Sequence, residues 1–361
     1  MPFRIRMRTF VAASFTLALL CLSVLGEPGQ PAVTDSVFLI GDADPLGAHG
    51  EVLAALSEDV AVASAALGEG HVTVVFLGDN IYNNGLPAEN ETRGFNSALD
   101  RLKAQVNSAK VNSGVMVYFV PGNHDWDNKG KRGVARVKLQ TQELRKLGSN
   151  GNVEMLPGDG CPGPAVRTAG ARLQIVFLDT QWWLHPQQFR PTAEACTPGT
   201  EKDVTTAIEQ ALSNAGERMS IVVAHHPLIS GGPHGTKRKA AASEQDQDNG
   251  TNLHMRTAII SAFKKLPPIA WVSGHEHTLE VLQGGGAQFL LVSGAGNFNR
   301  ADKTKPDEAR GTWLFPDAEP KDTAGYMRLD VSDAGAPSVS VIAVDEKKAR
   351  TTVFFKVLAS P

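Results

Sequence analysis

Five short polar motifs punctuate this chain of 361 residues. They read Gly41-Asp42, Gly78-Asp79-Asn80-Ile81-Tyr82, Gly122-Asn123-His124-Asp125, Ala224-His225-His226-Pro227 and Gly274-His275-Glu276-His277, and each follows an apolar, β-like run. Carboxylates, a phenol, a carboxamide and imidazoles gathered in one place make a donor set for two cations. A carboxylate such as Asp79 can bridge the pair. Imidazoles add neutral nitrogens, and a carboxamide oxygen is a weak ligand that leaves its metal Lewis-acidic. Two such ions about 3.5–4 Å apart clamp a phosphate and hold a hydroxide for in-line attack near neutral pH. Neither a Gly-x-Ser-x-Gly elbow nor a Cys-x-x-Cys pair competes with this chemistry.

The elements that must carry these motifs alternate along the chain. Apolar runs at 37–40, 71–77, 115–120, 173–178, 221–224 and 269–273 read as strands. Periodic stretches at 51–67, 95–109, 134–147, 202–212 and 255–266 read as helices, the last halted by Pro267-Pro268. Continuous rather than alternating apolar strands imply a sheet covered on both faces. After residue 280 the pattern becomes mainly β, with runs at 288–292, 326–331, 339–344 and 352–357. The reading is an α/β (α+β type) fold: two mixed sheets packed face to face as a sandwich, flanked by helices. A single domain spans 33–361, with 280–361 completing the second sheet. Asp42, Asp79, Asn123, His225 and His275 each fall just past a strand, where open α/β sheets bind ligands.

In order and spacing the five motifs resemble the signature of the calcineurin-like metallophosphoesterases, and Tyr82 is similar to a residue of their purple-acid-phosphatase branch. The resemblance implies one metal held by Asp42, Asp79, Tyr82 and His277. It implies a second held by Asp79, Asn123, His225 and His275, with Asp79 shared. It gives His124 a place at the substrate phosphate, oriented by Asp125, and gives His234, in the loop Gly231-Gly232-Pro233-His234-Gly235, the phosphate or the leaving group. The implied reaction is cleavage of a phosphomonoester by a metal-bound hydroxide. Phosphodiester or nucleotide hydrolysis at the same metals is the alternative, and a non-catalytic metal- or phosphate-binding scaffold a more distant one. A phenol with a pKa near 10 loses its proton readily only to a hard trivalent ion, so Tyr82 as a ligand favours Fe(III) beside Zn, Mn or Fe(II). Packing, or a hydrogen bond next to two divalent ions, is the other role open to Tyr82. One position departs from the family pattern. Asp44 stands where purple acid phosphatases carry Gly and other branches a liganding His, and it can ligate, hydrogen-bond from outside the donor set, or face solvent.

Other residues are less informative. His226 is as consistent with a satisfied neighbour as with a participant. Trp182 and Trp183 can wall a substrate pocket or pack in the core. Lys237, Arg238 and Lys239 can attract phosphate or form a solvated loop. His49, His71, His185 and His254 have no motif around them.

Composition sets the context. A net charge of −3 gives no reason for affinity to nucleic acid or an anionic membrane. The resemblance implies a phosphorylated small molecule as the partner; oligomeric state is left open. Arg4, Arg6 and Arg8 precede an apolar stretch from residue 10 to 25, which reads as a secretory signal over 1–27 with cleavage between 26 and 33. A retained anchor is the competing reading, but the run is shorter than the ~20 apolar residues of a spanning helix; a lipoprotein at Cys21 would lack the usual small residues before it. Export to a periplasm or the medium, with no stable membrane insertion, follows. Removal of Cys21 leaves Cys161 and Cys196, an even pair that predicts a disulfide in an oxidising compartment, two separate buried thiols being the alternative.

Overall fold

A computed structural model describes residues 32–45, 50–68, 70–91, 94–109, 114–235, 243–297, 301–302, 311–316 and 323–358. The signal segment 1–27, His49, and the basic run Lys237, Arg238 and Lys239 lie outside the described residues.

The described elements run β1 (Val33–Ile40), α1 (Glu51–Leu67), β2 (Val72–Phe76), α2 (Phe95–Ala109), β3 (Met116–Phe119), α3 (Gly133–Leu147), β4 (Val153–Met155), β5 (Ala165–Ala169) and β6 (Leu173–Phe177). They continue as α4 (Gln181–Leu184), α5 (Glu201–Ser213), β7 (Met219–Val223), α6 (Gly250–Ala262), β8 (Ala270–Ser273), β9 (Leu279–Gly284), β10 (Ala287–Ser293), β11 (Thr312–Phe315), β12 (Gly325–Ser332), β13 (Ser338–Val344) and β14 (Arg350–Val357). Two seven-stranded sheets result, in the orders β14-β13-β12-β1-β2-β3-β4 and β11-β9-β10-β8-β7-β6-β5. β1 to β4 pair in parallel, as do β6, β7, β8 and β10. The antiparallel strands flank these cores.

Strand alternation explains the layering. On β1, Val37 and Leu39 turn inward to a core shared with Leu77, Val120, Phe177, Val223 and Leu291 of both sheets. Phe38 and Ile40 turn outward into a second core with Leu56 of α1 and Leu102 of α2. Both faces are covered, which is why these strands carry no polar alternation. The strands after residue 280 do not all complete one sheet: β9, β10 and β11 join the second, whereas β12, β13 and β14 extend the first. β1 accounts for this, since its free edge accepts β12 antiparallel, Leu39 facing Met327.

Four strands escape the sequence reading: β4, β5, β9 and β11. β4 is only three residues long, and β5 is a half-exposed edge strand bearing Arg167 and Thr168. α6 starts at Gly250, earlier than its apolar periodicity shows, because the Asn249 side chain accepts the Thr251 N–H and caps it. Cys161 and Cys196 form a disulfide, tying the loop before β5 to the loop before α5. Among the described residues, no helix is long and apolar enough to cross a membrane.

Candidate metal centre

The parallel cores of both sheets end side by side. β1, β2 and β3 run into Asp42, Asp79 and Asn123, and β7 and β8 run into His225 and His275. A backbone bond crosses this seam, Gly41 N–H donating to Ser293 O at 2.7 Å, and Asp42 N–H donates to Gly78 O at 3.0 Å within the first sheet. A Cβ at Gly41 would sit 3.0 Å from the Gly274 Cα of the opposite sheet, so the two backbones approach closely here. Asp42, Asp79 and His275 adopt left-handed backbone at φ 56°, 53° and 68°. Such strain in residues other than glycine costs of order 1–3 kcal/mol each and concentrates at functional sites.

Two clusters of donor atoms form at the seam. In the first, the Tyr82 hydroxyl lies 2.8 Å from Asp42 Oδ1 and 3.1 Å from His277 Nε2, which is itself 3.5 Å from Asp42 Oδ1. In the second, Asn123 Oδ1 is 3.1 Å from both His225 Nε2 and His275 Nδ1, and those two nitrogens are 3.3 Å apart. Asp79 sits between them, with Oδ1 at 3.4 Å from His225 Nε2 and ligand atoms of Asp42, Asp79 and His225 all within 4.8 Å of one another. All seven residues expected as metal ligands are thus brought together.

Two further imidazoles border the clusters on the more exposed side. The His124 ring packs against Tyr82 at 4.3 Å, its Nδ1 faces the Asn83 carbonyl and its Nε2 lies 3.8 Å from Asp79 Oδ2. The His234 ring stacks on His275 at 4.6 Å, and its Nδ1 is 2.7 Å from Asp246 Oδ1. Asp125 does not orient His124. Its buried carboxylate accepts the Gly122, Asn80 and Ile81 backbone N–H groups and the Asn80 and Gln140 side chains. Asp125 therefore braces the loops that carry Asp79 and Asn123, and burial, with Asp79 nearby, pushes its carboxyl up to about 7. Trp182 and Trp183 line no substrate pocket at this centre: both are buried in the outer core, at 4% and 1% exposure.

A sequence profile described as calcineurin-like phosphoesterase matches residues 46–279. The chain belongs to that family. None of the curated proteins compared with it matches. Among solved structures, GAP50, the anchor in the inner membrane complex of Plasmodium, superposes with a TM-score of 0.59 at 14% identity, covering 90% of this chain and 88% of that one. At such identity the likeness is one of fold. Calcineurin-like phosphoesterase YfkN from Bacillus subtilis gives a TM-score of 0.33 at 13% identity, over 80% of this chain and 90% of that chain.

Calcineurin-like phosphoesterases bind two metal ions, and the donor set here fits such a pair. His225 Nδ1 donates to the Leu77 carbonyl at 2.8 Å, so the Nε2 lone pair faces the second cluster. Asn123 Nδ2 donates to Asn128 Oδ1 at 3.1 Å, so the Asn123 oxygen faces it too. With Asp79 Oδ1, three acceptor atoms converge in a buried space, an arrangement a cation satisfies. The surrounding charge agrees. Burial alone would lower the His225 imidazole, but Asp79 and Asp42 raise it to about 9. Likewise Asp302 and Asp42 raise His277 to about 10 against its burial. His226 lies close enough to be grouped with His225 and His275. Its nitrogens are already committed, however. Thr180 Oγ1 accepts the His226 N–H, so its own proton serves Nδ1, and Nε2–H is left for Gln245 Oε1.

Several residues of this centre carry no motif. Asn128, at φ 54°, turns Asn123 and also bonds Asn83, whose carbonyl His124 shares. Asp246 pairs with His234 from a segment that reads as a polar loop, and Asp302 lies 3.4 Å from His277 Nδ1. Their only sequence signal is a generic turn composition.

Proposed function

We propose that this protein is an exported phosphohydrolase that cleaves phosphomonoesters at a dinuclear metal centre. Asp42, Asp79, Tyr82 and His277 would hold one ion, and Asp79, Asn123, His225 and His275 the other. Fe(III) suits the tyrosine-containing cluster, because only a hard trivalent ion readily displaces a phenolic proton; Zn, Mn or Fe(II) suits the second. The observation that carries the reading is the meeting of two donor clusters across Asp79, with two imidazoles at the rim. When bound, the metals neutralise the phosphate and make the attacking hydroxide available.

This chain's own residues supply the rest. His124, held at Nδ1 by the Asn83 carbonyl, presents Nε2 to a non-bridging oxygen of the substrate. His234, held by Asp246, stands against His275 and is placed to protonate the leaving oxygen. A monoester dianion spreads charge over three non-bridging oxygens, which two cations and an imidazole can satisfy together. The disulfide and the basic-then-apolar N-terminus support export.

The test compares p-nitrophenyl phosphate with bis-p-nitrophenyl phosphate, using signal-free protein before and after chelation. Metal-dependent turnover of the monoester in large excess over the diester is expected. Dominant diester turnover would overturn the monoester reading, and activity that survives complete metal removal would overturn the reaction itself.

A further inference from the structure

Asp44 departs from the family pattern, and the structure takes it outside both donor clusters. The residue is fully buried. Its Oδ2 accepts the Tyr82 backbone N–H at 2.6 Å and pairs with Nη1 of Arg101, a residue of α2. Arg101 Nη2 then donates to the Tyr82 carbonyl at 3.1 Å. One ion pair therefore grips Tyr82 at both its amide and its carbonyl. Four residues further along α2, Gln105 Nε2 donates to the Asn80 carbonyl at 2.7 Å, a second tie between the helix and the same loop. At the other end of Tyr82, the hydroxyl reaches Asp42 Oδ1 and His277 Nε2.

We propose that Asp44 and Arg101 are positioning residues that clamp the Tyr82 peptide and so fix its phenol in the first metal cluster. The inference rests on the reading of Tyr82 as a metal ligand. A carboxylate buried so near three anionic donors would repel a phosphate if left unpaired. The guanidinium removes that charge and turns the carboxylate to a mechanical use. An arginine suits this because its planar fork donates to two acceptors at once, which the point charge of a lysine does not. The clamp also ties α2, which supplies no residue to either donor cluster, to the electronic state of the metal site through one peptide unit.

The experiment uses D44N, which keeps the shape and an acceptor oxygen, and R101K, which keeps the charge but loses the fork. R101K also provides the answer should D44N fail to fold. Each metal-free protein is loaded with Fe(III), and the visible tyrosinate-to-iron absorption is recorded together with Fe(III) half-saturation. Hydrogen exchange of the Tyr82 amide is measured on the metal-free forms. The clamp predicts a visible band in wild type that shifts and weakens in both variants. It predicts half-saturation raised by about tenfold, as for other outer partners of metal ligands, and Tyr82 amide exchange faster by a similar factor. A wild-type band with band, affinity and exchange unchanged in both variants overturns the clamp alone. Loss of metal in D44N with R101K matching wild type overturns it in favour of Asp44 as a ligand. A wild-type protein with no band overturns the Tyr82 ligand reading, and the clamp with it.

Discussion

His124 and His234 occupy matching places at the rim of one centre, yet each is held by a different partner, a main-chain carbonyl for one and Asp246 for the other. Neither ring belongs to a donor cluster. Replacing either with Ala should leave metal content near the wild-type value and lower kcat by about 10²–10⁴, the range of a positioned proton donor. Loss of metal in H124A or H234A would contradict this division of roles. Gly122 illustrates a different kind of dependence. A Cβ there would lie 2.2 Å from Asp79 Oδ1 and 2.3 Å from Asp79 N. Gly122→Ala should therefore displace Asp79 and abolish metal uptake, as judged by elemental analysis, although the residue has no side chain of its own. The residues that gather at the seam are legible in the sequence because their types are rare in combination and fall at strand ends. The partners of Asp125 and of Asn128 are not legible there: which neighbour a carboxylate or carboxamide faces depends on backbone dihedrals, such as the left-handed turn at Asn128, that spacing does not encode.

At the scale of the elements, the loop carrying His234 is held down from β9 and from the turn that precedes it. Glu276 accepts the Ser230 hydroxyl and the His234 N–H, and Glu280 accepts the Gly231 N–H at 3.0 Å and the Thr278 hydroxyl at 2.7 Å. Burial pushes the Glu280 carboxyl up to about 8, although those hydrogen bonds oppose the shift. Since its folded pKa lies above the unfolded value of 4.5, the unfolded chain loses its proton first as the pH rises. Stability should therefore fall between about pH 4.5 and pH 8 and level off above, by roughly a few kcal/mol from this group. E280Q should gain on wild type in urea melts at pH 8 and not at pH 4. Parallel curves at both pH values would show that Glu280 ionises normally. The long apolar strands and capped helices were readable from periodicity. Edge strands such as β5 were not, because a half-exposed strand carries mixed polarity, and β4 is too short to show a period.

The whole molecule depends on two sheets meeting at one seam, and the disulfide joins the loops that precede β5 and α5. Cys161–Cys196 closes a loop of 35 residues, so removing it with paired Ser substitutions should cost about 2–4 kcal/mol. The expected result is a lower melting temperature with metal content and turnover retained; loss of metal would place the bridge within the site's support. The sequence pattern implied a sandwich but not how the C-terminal strands divide between its sheets, since strand pairing depends on which edges remain free. Under the proposed function Asp79 is shared by two ions. This sharing is tested most directly by counting metal per chain in wild type, Asp79→Asn and His225→Ala. Two ions in wild type, loss of both in D79N and retention of one in H225A are expected. Wild-type protein that binds a single ion, or D79N that keeps two, would contradict the sharing.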